Sequence, residues 1–292
     1  MAVPISAEKI FSLGGLPVTN SLVNGWVAVF VFIVLALVLR AKPLEVPRGV
    51  QNAAEALIEY MLGFIDQVTH DRDRSRKFLP IVGTLFLFIL LSNWLGLVPG
   101  VGSIGIWQMV RGEPELVPLF RPATSDLNMT LAMGIAGVLV SHVLGVATIG
   151  FFRYSGKFIQ VRGIWKALRR FGRVKLGQAV MDLFVAVVEL MVGFIELISE
   201  VAKMISLSLR LFGNVFAGEV LLYVFFRLVA YILPIPFIFL ELVVGIVQAM
   251  IFSTLVLVYL TVATDQPHGD DDGETAHKKT PGHEKKTAEA KT

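Results

Sequence analysis

Cysteine is absent from all 292 residues, which excludes disulfides, thiolate metal sites and cysteine nucleophiles. Charge is scarce too: Asp, Glu, Lys and Arg make up 17% of the chain, against about 25% in a typical soluble domain. No HExxH, GxSxG or P-loop pattern occurs, so no motif supports metalloprotease, serine-hydrolase or nucleotide-binding chemistry. His142 stands alone in an apolar segment and the other histidines fall in loops or the tail, so no metal centre is indicated. Neither a cofactor nor a nucleic-acid partner is expected. The first twenty residues carry one basic residue, Lys9, and no apolar run ending in a small-residue cleavage site. The first apolar segment is therefore expected to remain in the protein.

What the chain has is apolar length. Hydrophobic residues make up 55% of it, mean hydropathy is +0.71, and the excess is gathered into long runs. That pattern indicates an all-α integral membrane protein. The first expected span is Ser21–Leu39, ended by Arg40, Lys42 and Arg48. Residues 49–70 place Val50, Ala54, Leu57, Ile58, Met61, Ile65 and Val68 on one helical side and Glu55, Glu59, Asp66 and His70 on the other. This spacing predicts an amphipathic helix lying in the interface. A second span is expected at Leu79–Val98, a mixed loop at 99–126 with Arg111 and Arg121 offset by acids, and a third span at about Leu127–Phe152.

Lysine and arginine near the span ends set the orientation. The 40–77 loop has seven, the 153–175 stretch eight, the 99–126 loop two and residues 1–20 one. The N-terminus is thus expected outside, with both basic loops and the C-terminus cytoplasmic. From about Ala179 to Ala230 runs an apolar stretch with embedded charges and no dividing loop, followed by a turn, YILPIP, and a last apolar run, Phe237–Ala263. As one helix the long stretch would span roughly 75 Å against a ~30 Å hydrocarbon core, needing a tilt of roughly 65°. One steep crossing and two crossings joined by a tight apolar turn both fit the pattern. The expected domains are a membrane-embedded unit, 1–263, and a disordered hydrophilic tail, 264–292.

Charges at bilayer depth cost about 2.5–3.5 kcal/mol each on insertion scales, so they face a bundle interior or a water cavity. The long stretch holds Asp182, Glu189, Glu196, Glu200, Lys203, Arg210, Glu219 and Arg227, and the last run adds Glu241 and Gln248. Glu189, Glu196, Lys203 and Arg210 recur every seven residues, along one slowly drifting face. Two readings of Glu189–Lys203 stand: a self-neutralised polar stripe, or a route admitting water or protons to a half-channel. Arg227 can snorkel to the outer interface as an anchor. Arg210 has no such escape. Arginine stays protonated, so it relays protons poorly and serves as a counter-ion that forces a passing carboxylic acid to ionise. Asn214 faces nearly the same way as Arg210, one turn on. Folding Phe237–Ala263 back as a hairpin brings Glu219 towards Glu241 and Arg210 towards Gln248. A shared, partly desolvated acid pair suits proton uptake and release; the alternative is a buried acid pair without transport. For His142, packing or an interhelical hydrogen bond is expected rather than a proton role.

The segment SLSLRLFGNVFAGEVLL, 206–222, resembles the signature of subunit a of the rotary F-type ATP synthase. The resemblance extends over ELVVGIVQAMIFSTLVLVYL, SNWLGLVPG and SDLNMTLA, and covers most of residues 21–263. It implies a non-catalytic, proton-translocating stator beside a ring of c subunits, held by peripheral-stalk b subunits in a bacterial inner membrane. It also implies about five membrane-embedded helices, the last two a long, steeply tilted hairpin. By the same resemblance Arg210 faces the carboxylates of the ring. Glu219, Asn214, Glu241 and Gln248 line an outer half-channel, Glu196 lies on the cytoplasmic path, and Lys203 and Ser206 support it. Many members place a His with a Glu where this chain has Glu219 and Glu241. A secondary antiporter and a non-transporting scaffold are the competing classes; antiporter folds show paired repeats and broken helices, and neither pattern is visible.

Overall fold

The computed structural model describes residues 6–41, 46–98, 104–110, 113–158, 176–228 and 234–265. The basic loop from 159 to 175, residues 231–233 of the YILPIP turn and the tail from 266 lie outside the described residues.

The chain is an all-α membrane protein. Helix α1 (Asn20–Ala41) is uncharged until Arg40, and α2 (Val50–Thr69) keeps the amphipathic pattern. Helix α3 (Arg72–Leu97) starts seven residues earlier than the apolar run, because Asp71 caps it: its carboxylate accepts from the amides of Asp73 at 2.9 Å and Arg74 at 3.4 Å. Asp126 caps α4 (Leu127–Ile149) in the same way, accepting from the Asn128 amide at 2.9 Å. That helix stops short of Phe152 because Gly150 takes a φ of 92°, and a short helix, α5 (Phe151–Phe158), leaves in a new direction.

The long polar-studded stretch is one unbroken helix, α6 (Leu176–Leu228), of 53 residues. Of the two arrangements left open by the residue pattern, the undivided one forms, as the resemblance implied. Helix α7 (Pro234–Thr264) begins on a proline, which the first turn tolerates because its amide has no intrahelical partner there. Among the described residues, α1, α3, α4 and α7 are long and apolar enough to cross a membrane by length and composition.

Helix α7 is the centre, packed against α3, α4 and α6. Its Phe252, Val256, Leu257 and Leu260 are fully buried, joined by Leu211 of α6 and by Val82 and Ile89 of α3. Helix α2 inserts Met61 and Ile65 into this cluster. Its apolar side is therefore covered partly by protein, not by the interface alone. In lipid such contacts hold by close packing rather than by water exclusion.

Two antiparallel hairpins stand outside the helices, and the second lies in the segment expected to be a mixed loop, 99–126. Strands β1 (Lys9–Leu13) and β2 (Leu16–Thr19) turn at Gly14-Gly15, and β3 (Gly105–Val110) pairs with β4 (Glu113–Pro118) in continuous register. A 3₁₀ turn, Ala123–Ser125, leads into α4. The Gln108 amide donates to the Ile10 carbonyl at 3.1 Å, and the Asn20 amide to the Pro118 carbonyl at 3.4 Å. These bonds gather both hairpins at one end of the bundle, opposite the end where α5 leaves α4.

Candidate functional site

The chemistry is strung along α6. Its Leu207, Leu211, Val215 and Leu222 are buried, while Ser206, Arg210, Asn214, Ala217 and Leu221 are exposed. Steps of three and four residues put each set on its own face. Arg210 thus sits level with the core cluster yet points out of the bundle. Among the described residues no carboxylate pairs with it. The surface around it is shallow, since a side chain added at Gly213 would touch nothing within 4 Å.

Asn214, one turn beyond Arg210, donates its amide to Gln248 Oε1 of α7 at 2.6 Å. The fold-back therefore joins Gln248 to Asn214. Gln248 is buried, and its own Nε2 has no partner.

Nine residues from Arg210, roughly 13.5 Å along the helix, lies Glu219. Its partner is Arg121, placed in a mixed loop by the sequence alone. Arg121 is 3% exposed and sits between β4 and the 3₁₀ turn. Its Nε lies 2.9 Å from Glu219 Oε1 and 3.0 Å from Oε2, a forked, charge-assisted contact. Nη1 donates to the Ser6 carbonyl at 3.3 Å, and the guanidinium lies 5.8 Å from the centre of the Phe216 ring. One signal for it was available: Arg121 stands in LVPLFRPA with no acid within four residues.

Glu241 is buried beside this pair, its carboxyl lying over Gly218, where any Cβ would overlap it. The hairpin thus brings Glu241 to the residue next to Glu219, with the second acid neutralised by Arg121. Buried polar atoms without a protein partner cluster here as well: both side-chain polar atoms of Asn24, Ser92 Oγ, Asn93 Nδ2, Arg121 Nη2 and Gln248 Nε2. Buried polar groups of this kind are ordinarily satisfied by water.

Towards the start of α6, Lys203 lies two turns from Arg210 and holds Glu200 with an Nζ–Oε1 distance of 2.6 Å. Glu196 is half-buried, and Ser206 is exposed. His142 makes the interhelical contacts expected of it: Nδ1 is 2.6 Å from the Tyr154 hydroxyl, and Nε2 is 3.5 Å from Glu200.

A sequence model described as ATP synthase A chain matches residues 22–261, most of the molecule and all of the site just described. The chain belongs to the ATP synthase A chain family. It is 27% identical over 253 residues to ATP synthase subunit a of Moorella thermoacetica, covering 86% of this chain and 94% of that protein. With ATP synthase subunit a of Trichlorobacter lovleyi it shares 29% over 249 residues, covering 85% and 89%. With that of Campylobacter jejuni it shares 32% over 240 residues, covering 82% and 87%. Membership in this family spans α1 to α7, so Arg210, Glu219, Glu241 and Gln248 all fall within the matched region.

Proposed function

We propose that this chain is the proton-translocating stator subunit of an ATP synthase membrane sector, non-catalytic itself, with Arg210 between two offset half-channels. One observation carries the reading: a permanent cation at core level of the bundle points sideways from an open helical face and has no acid of its own among the described residues. Such a charge is stabilised by carboxylates supplied from outside the chain, and a ring of c subunits provides them.

Physical chemistry then orders the steps. The hairpin end faces the outside and the basic-loop end the cytoplasm, following the lysine and arginine bias. A proton entering from outside follows the orphaned polar groups to Glu241, Asn214 and Gln248, and neutralises a ring carboxylate. Neutral, that acid tolerates lipid and the ring turns. Returning on the other side it meets Arg210, ionises, and its proton leaves past Lys203, Glu200 and Glu196. Arg210 repels protons, so no straight leak connects the two paths. Each proton crossing contributes ~2.3 kcal/mol per 100 mV. The peripheral stalk's b subunits keep the chain from turning with the ring, in a bacterial inner membrane.

The test is Arg210→Ala in vesicles carrying the whole complex. ATP-driven proton pumping should vanish while the complex assembles. Pumping at the native rate points to a scaffold instead. Exchange activity in liposomes holding this chain alone points to an antiporter.

A further inference from the structure

Where α4, α5, α6 and α7 meet, a cavity of about 170 Å³ opens, lined by Ser141, His142, Tyr154, Glu200, Lys203 and Tyr259. The arrangement depends on Gly150, which turns α5 back so that the Tyr154 ring packs on Gly145 of α4. We propose that His142, held between the Tyr154 hydroxyl and Glu200, is the proton-accepting group of the path on this side of Arg210. The proposal rests on the reading above and assigns that path a residue outside the motif that carried it.

The geometry lets His142 change charge while keeping its hydrogen bond to the Tyr154 hydroxyl. With the ring neutral and Nε2 protonated, Nε2–H faces Glu200 at 3.5 Å and the Tyr154 hydroxyl donates to Nδ1. When a proton arrives from the cavity, the tyrosine oxygen takes it as its own proton passes to Nδ1. The ring is then an imidazolium, Nδ1–H donates to the tyrosine oxygen, and the new O–H points into the cavity. Atoms and charge balance, and nothing but hydrogens moves.

The surrounding charges favour this. Tyr154 on α5 feels both Glu196 and Glu200 of α6, Lys203 pairs with Glu200, and Tyr259 of α7 feels Glu200 and Arg210. Within the lining Glu200 is paired with Lys203, and Glu196 adds a second carboxylate on the Tyr154 side, opposite Arg210 beyond Tyr259. Histidine is also the side chain whose ordinary titration falls between pH 5 and 8, the range a cytoplasmic exit meets.

Inverted membrane vesicles holding the intact complex expose this end to the medium. The native complex should show an inflection in pumping rate against external pH within the imidazole range. His142→Gln should abolish that inflection and slow pumping about tenfold at pH 7, short of the ~10²-fold of a lone acid–base group because water remains a second route. Tyr154→Phe keeps the ring on Gly145 and should move the inflection by about half a unit to one unit, the equivalent of one hydrogen bond. Unchanged pH profiles in both variants overturn the assignment. If His142→Gln fails to assemble, a Tyr154→Phe profile identical to the native one is enough to overturn it. Loss of pumping in Arg210→Ala with native profiles in these two separates failure of this inference from failure of the broader reading.

Discussion

Replacing Arg121 by glutamine removes the guanidinium from a site where it is 3% exposed and forks onto Glu219 at 2.9 and 3.0 Å. Breaking one side of a buried ion pair typically costs about 3–5 kcal/mol, because the remaining charge is left without compensation. Glu219 has an escape: it can bind a proton. Starting from an ordinary carboxylate value near 4.3, neutralisation at pH 8 costs about 5 kcal/mol and falls by ~1.4 kcal/mol for each unit the pH is lowered. The Arg121→Gln variant should therefore be less stable than the native chain by about 3–5 kcal/mol at pH 8, and recover steadily towards pH 5. Glu219→Gln should carry a similar penalty with no recovery, since arginine does not give up its proton in this range. The double variant leaves two amides and should return close to native stability, as exchanges of buried pairs for neutral groups often do. Reversible unfolding in mixed micelles, followed by tryptophan fluorescence from pH 5 to 8, reads all three. A pH-independent Arg121→Gln, or a double variant as poor as the sum of the singles, would refute the pairing.

Gly218→Ala separates packing from proton traffic. The added methyl displaces the flexible end of Glu241 rather than backbone, while alanine favours helix over glycine by about 1 kcal/mol. Stability should stay level or rise slightly as ATP-driven pumping falls about tenfold, ~1.4 kcal/mol in the barrier; native pumping would show that the position of Glu241 is unimportant. Phe252→Ala should destabilise by about 3 kcal/mol in the same unfolding assay, the low end for soluble cores because lipid removes part of the transfer contribution. Asp71→Ala should cost about 1 kcal/mol through loss of the α3 cap and leave pumping per assembled complex unchanged.

Hydrophobic spacing and the 206–222 segment made the helices and most of the α6 residues legible from sequence, because both signals are local. Arg121 was hidden for the opposite reason. Its partner is 98 positions away, and the one local signal, an arginine in LVPLFRPA without a nearby acid, does not name that partner. The hairpins escaped because their strands are only four to six residues long and interrupted by proline and glycine. His142 read as a packing residue since Tyr154 reaches it only after the reversal at Gly150, and Glu200 only after α6 docks against α4. The undivided form of α6 was undecided on spacing alone, for want of turn residues to count, and only the resemblance pointed to it; continuous backbone hydrogen bonding suits it, since in lipid a break would leave those groups unmet.

The length of α6 has a geometric consequence. Most of a 53-residue rod can stay within a ~30 Å layer only by lying roughly 65° off the normal. Each residue then descends by only ~0.6 Å and slides sideways by ~1.4 Å. Groups spaced along such a rod differ little in depth and much in lateral position. Glu219 and Lys203, on either side of Arg210, would thus meet a neighbour at different azimuths, and travel from one to the other becomes rotation.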